Sequence, residues 1–386
     1  MSFKIIIGAD LVPTASNYDM FKNGLLDELI GEQLKQILKN ADFTIFNLEV
    51  PLTDCNSPIL KCGPGLIAPT GCINGIQKIN PHFFTLANNH IMDQGEQGLR
   101  STMEILSKAG VQYAGAGSNL QEASKPYIID NGITKIGIYC CAEHEFSIAT
   151  EKKAGANPFD PLESFDHIVS LKELCDFIIV LYHGGKEHYR YPAPYLQKIC
   201  RKFVEKGADL VVCQHSHCIG CEEKWEKGTI VYGQGNFLFD SLDNDFWRTS
   251  LLLSIEIGEQ GLSHIEYIPI VKNGNCVMKA TSAQKKEILD TFTERNSLLK
   301  SESYVIQEYQ KLSDTVLENY LSALQGKKFK NVGFKICNRL LKRKLRKWII
   351  KRLYGKEELV QLLNYFECEA HRELIIQGLK DVVSKV

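Results

Sequence analysis

Short apolar runs bounded by turn residues recur along the first two thirds of the chain, and several are joined by segments of helical spacing. Phe3 to Ile7, Asp42 to Leu48, Phe83 to Ala87, Ile133 to Tyr139, Phe177 to Leu181, Leu210 to Cys213 and Ile230 to Tyr232 are rich in Ile, Val, Phe and Leu and predict strands. Apolar residues at helical intervals predict helices over Leu25 to Leu38, over Gly95 to Ala109, where Leu99, Met103, Leu106 and Ala109 share a face, and over Ala193 to Glu205. Gly115-Ala116-Gly117 reads as a turn. The strand, helix, strand order predicts an α/β fold, whose chemistry gathers at one edge of the sheet.

The polar residues at the ends of these runs are of one kind. Asp10, Glu49, Asn89 with His90, His183, and His215 with His217 each follow a strand-like run. On an extended segment a His-x-His pair points both rings to one side, and two imidazoles on one face make a half-site for zinc, manganese or iron. Singly, each residue could be an ordinary loop residue. The recurrence from strand to strand is what a two-metal hydrolase requires.

At 386 residues with 44% hydrophobic content the chain can bury a full core, and its formal net charge of -1 gives no expectation of specific nucleic-acid binding. No apolar run is long enough for a transmembrane helix. The start, MSFKIIIGADLVP, reads as a first strand and not a signal peptide, so a cytoplasmic location is expected. The thirteen cysteines are odd in number, and several lie in core-patterned segments, so they read as reduced thiols, Cys218 and Cys221 included.

Seven motifs in order carry a resemblance: GAD at Gly8 to Asp10, NLEVPLT at Asn47 to Thr53, LANNHIMDQGEQGL at Leu86 to Leu99, GAGSNLQEASKP at Gly115 to Pro126, HGGKE at His183 to Glu187, GADLVVCQHSH at Gly207 to His217 and YGQGNFLFD at Tyr232 to Asp240. In them the chain resembles the CapA family of bacterial poly-γ-glutamate capsule synthesis proteins, similar in turn to calcineurin-like metallophosphoesterases. The resemblance implies a four-layer αββα sandwich. It implies one divalent ion held by Asp10 and His217, a second by Asn89, His183 and His215, and Glu49 bridging the two. Manganese, iron or zinc would suit these ligands. His90 would act as acid or transition-state stabiliser, with Asp93 either orienting its ring or capping the helix that begins near Gly95. Glu187 and Asn236 would line the pocket, and His188 would face the substrate or stand as a surface histidine. The chain departs from the metallophosphoesterase opening Asp-x-His, since Asp10-Leu11-Val12 stands there, and from the usual glycine before His-x-His, which is Cys213.

The implied function is metal-dependent hydrolysis, by a phosphoesterase acting on a small-molecule or polymer substrate in capsule or surface-polymer synthesis. The alternatives are a non-catalytic assembly component with a degraded metal site, and an amide or peptide hydrolase on the same site. Residues 1–275 are expected to form this domain and 276–386 a helical extension. Within it, Ser282 to Gln325 has helical spacing. Residues 327–352 carry twelve lysines and arginines and no acid, with Ile336, Leu340, Leu341, Leu345, Trp348 and Ile349 at helical intervals. Such a basic amphipathic helix would lie on an anionic membrane surface, placing the protein peripherally at the inner membrane, or bind a polyanion, or pack its stripe on the first domain.

Overall fold

The apolar runs become strands wherever alternate residues have two faces to bury. In the computed structural model, which describes residues 2–240, 244–258, 261–325, 332–341 and 344–384, the strands are β1 (Phe3–Val12), β2 (Phe43–Leu48), β3 (Phe83–Thr85), β4 (Gln112–Ala114), β5 (Ala116–Gly117), β6 (Tyr127–Asp130), β7 (Lys135–Ala142), β8 (Gly155–Ala156), β9 (Phe177–His183), β10 (Leu210–Gln214), β11 (Glu222–Trp225), β12 (Gly228–Val231), β13 (Asn236–Phe239), β14 (Thr249–Gly258), β15 (Gly261–Asn273) and β16 (Cys276–Lys279). They make an 8-stranded sheet ordered β16-β15-β14-β1-β2-β3-β4, with β13 also on β1, and a 6-stranded sheet ordered β11-β12-β10-β9-β7-β6. The expected turn at Gly115 to Gly117 contains β5, which pairs with β8 in a small third sheet.

Alternation sorts the side chains into layers. Ile5 and Ile7 of β1, Phe43 and Ile45 of β2, Ile136 and Ile138 of β7, and Ile179 and Leu181 of β9 meet in one core between the two large sheets. The opposite residues face outward. Ile6, Phe46 and Phe84 pack with Leu34, Leu99 and Leu106 of the helices Glu32–Lys39 and Gly95–Lys108. Tyr139, Ile178 and Val180 pack with Ile168 and Phe203 of the helices Ser164–Lys172 and Pro194–Glu205. The result is the four-layer αββα sandwich. The helix expected over Leu25 to Leu38 is two, Leu26–Leu29 and Glu32–Lys39, because Ile30 between them is extended and bridges Val277.

The chain divides into two compact units, Met1–Ile306 and Gln307–Val386. The expected boundary after residue 275 falls inside the first. There β16 pairs with β15, and the helix Ser282–Leu299 buries Ile288 and Phe292 in the core between the sheets. In the second unit the single helix expected over 327–352 is corrected: residues 326–331 and 342–343 lie outside the described residues, and the remainder forms two helices, Val332–Leu340 and Lys344–Leu353. Asn338 Oδ1 accepts from Arg346 N at 2.9 Å, a capping bond that satisfies an orphan donor where the second helix starts. Among the described residues no helix is long and apolar enough to cross a membrane.

Candidate metal centre

Register places the first ligand candidates. β1 pairs with β14 as far as Ile7 and with β13 from Asp10, and a register irregularity between Ile7 and Asp10 on the β2 side leaves Asp10 level with Asn47 of β2 and Asn236 of β13. Glu49 follows β2 directly, and His183 closes β9, level with Gln214 of β10. His215 and His217 lie past the end of β10. The expected extended His-x-His is corrected here: His215 has φ 94° and His217 φ 52°, so left-handed backbone, and not strand alternation, turns both rings inward. Non-glycine residues seldom adopt this conformation, and it concentrates at functional sites.

These side chains converge in two groups that share one carboxylate. Glu49, His183 and His215 offer ligand atoms within 4.8 Å of one another, as do Asp10, Glu49 and His217. Within the first group His183 Nε2 stands 3.3 Å from Glu49 Oε1, 3.1 Å from His215 Nδ1 and 3.0 Å from Asn89 Oδ1. In the second, His217 Nδ1 lies 3.4 Å from Asp10 Oδ2 and 2.9 Å from Asn236 Oδ1. Asp10 and Glu49 are fully buried, yet both oxygens of Glu49 and Oδ2 of Asp10 lack a hydrogen bond. Carboxylates removed from water need a cation or donors, and three imidazoles with three carboxylate oxygens that accept no hydrogen bond make a donor set that fits a divalent ion.

The electrostatics of the cluster point the same way. Burial, followed by the charges of His183 and His217, pushes His215 well below the usual imidazole range. Burial alone would lower His217 too, but the Asp10 contact and the charge of Glu49 override it and hold His217 up at about 9. Burial would raise Asp10, and the same contact with His217 wins and lowers it.

A second cluster adjoins the first. His90 Nδ1 meets Asp93 Oδ2 at 2.6 Å, and Asp93, fully buried, also receives Leu66 N and Lys61 Nζ, each at 2.6 Å. Of its two expected roles Asp93 therefore takes the contact with His90, since Gln94, not Asp93, precedes the helix Gly95–Lys108 as its cap residue.

The family model described as bacterial capsule synthesis protein PGA_cap matches residues 5–241, which contain every residue of both clusters. The chain belongs to this family. Among its relatives are the capsule biosynthesis protein CapA of Bacillus anthracis, 26% identical over 270 residues, and the PGA biosynthesis protein CapA of Bacillus subtilis (strain 168), 28% identical over 249 residues. The alignments cover 67% and 62% of this chain, and 65% and 64% of the relatives, slightly under two thirds of their length. A solved phosphatase from Mycoplasma pneumoniae is similar at 16% identity and a TM-score of 0.45, over 74% of this chain and 97% of that one.

The remaining expected residues of this family member fall outside the ligand groups. Asn236 is buried and braces His217. His188, with φ 58°, accepts from Trp247 Nε1 at 2.8 Å and stacks on Phe246 at 5.5 Å. Trp247 in turn lies 4.6 Å from His217, so the three aromatic residues roof that ligand candidate. Glu187 is exposed on the turn beside His188. The sequence reading missed Lys61, which sits in an irregular stretch with no periodicity. It missed Asn47, which donates to Asp10 Oδ1 at 2.8 Å from inside a strand. It also missed Glu145, whose Oε2 accepts from Asn89 at 3.3 Å. An acid just beyond the run ending at Tyr139 was the available signal.

Proposed function

We propose that this protein is a metal-dependent phosphoesterase acting in the synthesis of a bacterial capsule or surface polymer. The observation that carries the reading is Glu49, a fully buried carboxylate with neither oxygen hydrogen-bonded, common to both histidine groups. Asp10 and His217 would hold one ion, Asn89, His183 and His215 the other, and Glu49 both. Bound there, manganese, iron or zinc supplies a Lewis acid for the phosphoryl oxygens and an activated water near neutral pH. Val12, fully buried, stands where the related enzymes bring a further histidine, so the Asp10 position would have one protein ligand fewer.

The other steps fall to the chain itself. Asp93 fixes the ring of His90 through Nδ1, leaving Nε2 to donate a proton to the leaving oxygen. Lys61 Nζ pairs with Asp93 at 2.6 Å and comes within 3.2 Å of His90 Nδ1, which ties the three side chains into one buried network. The roof of His188, Phe246 and Trp247 restricts water around His217. The capsule assignment is supported by the family and by the names of the two Bacillus relatives.

The test is elemental analysis of protein purified without chelator, beside hydrolysis of an aryl phosphodiester and monoester with added manganese, for native protein and His215→Ala. Bound metal, with turnover lost in the variant, is expected. A metal-free, inactive native protein that manganese does not restore leaves the assembly-component reading in its place.

A further inference from the structure

Two arginines near the roof of the site have no acidic partner among the described residues. Arg190 Nη1 donates to Ile219 O and Arg295 Nε to Gly220 O, each at 2.8 Å, so consecutive carbonyls of one loop hold the two guanidinium groups side by side. Each uses one donor of five. Both are half-buried, and among the described residues neither has a carboxylate within ion-pair distance. Burial, and after it the charge of Arg190, pushes Arg295 below its ordinary value. Like charges withdrawn from water and left unneutralised are costly, and a ligand anion relieves that cost.

The space for such a ligand exists. Arg190 and Arg295 line a cavity of about 550 Å³ together with Arg248 and Lys272, and among the described residues Glu287 is the one acid in the lining. Arg248 is engaged by Asp245 at 3.2 Å and Lys272 by Asp240 at 3.1 Å, which leaves the two inner arginines as the uncommitted cations. The cavity is tied to the metal centre through Arg190, whose guanidinium lies 4.9 Å above the ring of Phe246, itself stacked on His188.

We propose that this cavity is a subsite for a second anionic group, a carboxylate or phosphate, carried by the substrate whose reacting bond lies at the histidine cluster. Planar guanidinium groups suit both anions, which they bind through paired N–H donors. That the anion belongs to the substrate rests on the hydrolase reading. That the cavity binds an anion does not.

The experiment is calorimetric titration of the chelator-treated full chain with inorganic phosphate and, separately, with a short glutamate oligomer bearing free carboxylates. At least one binds the native protein. Arg190→Gln weakens it about tenfold or more, and Arg248→Gln, which disturbs no backbone contact, about threefold, while His215→Ala leaves it unchanged. Tighter binding of the oligomer assigns the subsite to a carboxylate chain, and tighter binding of phosphate to a phosphoester. Absence of binding by both probes, equal binding by both arginine variants, or loss in His215→Ala with retention in Arg190→Gln overturns the proposal. Because the titration needs neither metal nor turnover, an inactive native protein that still binds would overturn the phosphoesterase reading alone.

Discussion

At the scale of single residues the site is a contest between protons and cations. In the metal-free chain His217 titrates at about 9, so at neutral pH it carries a proton that an incoming ion must displace. Metal affinity should therefore rise with pH towards about 9, with release of about one proton at pH 7, read as the difference between calorimetric titrations in two buffers of unlike ionisation enthalpy. An affinity flat between pH 6 and 9 would remove His217 from the ligand set. The same pair sets an opposite trend in stability. His217 is raised from 6.5, so its contribution to the metal-free fold is complete below that value and is lost as pH rises through about 9. It is also lost at acid pH as Asp10 protonates, through a pKa that lies below its usual value. The ligand candidates were legible because each follows an apolar run. Lys61 was not, because its role depends on a loop folding back over residues far along the chain. The left-handed φ of His215 and His217 was equally hidden, since nothing in CQHSH distinguishes a continued strand from a turn.

Elements position these residues through register, and the centre of β1 tolerates no added atom. A Cβ at Gly8 would stand 2.3 Å from two ring atoms of Phe46, which is packed in turn against Phe237 at 4.8 Å. Gly8→Ala should destabilise the fold by about 1–3 kcal/mol through overpacking, seen as a lower denaturant midpoint with an unchanged slope. Loss of bound metal should accompany it, because Asp10 lies two residues on. In the second unit the basic helices Val332–Leu340 and Lys344–Leu353 leave Leu340, Leu341, Trp348 and Leu353 exposed, while Ile350 is buried with Leu321. Exposed apolar and cationic residues together match an anionic lipid surface, and we propose peripheral membrane contact there. The full chain should float with vesicles containing anionic phospholipid and not with zwitterionic ones, and Trp348→Ala should reduce the bound fraction. Equal recovery with both vesicle types would count against it.

At the scale of the molecule, the layer order followed from alternation in runs such as Phe177 to Leu181, but the extent of the first unit did not. Its last strand, β16, has 4 residues, pairs with β15 and also bridges Ile30 far back in the chain through Val277. So short a segment leaves no periodicity to read. The site itself joins the layers. Asp10, Glu49 and Asn89 come from the larger sheet and the loop after β3, whereas His183, His215 and His217 come from β9 and the end of β10 in the other.

An ion held by both sets is therefore a clamp between the two sheets, and its loss exposes the cost of a buried Glu49 whose oxygens accept no hydrogen bond. At a free concentration 100-fold above its dissociation constant one ion stabilises the folded state by about 2.7 kcal/mol. For a unit of this size that raises the unfolding midpoint by roughly 5 °C. Chelator-treated protein should show such a rise on adding manganese or zinc, with calcium giving less because half of the donors are imidazoles. Glu49→Ala should melt at a midpoint that no longer responds to either ion, since its removal breaks both ligand groups at once. A rise that persists in Glu49→Ala would place the ion elsewhere and separate the stability of the sandwich from the histidine cluster.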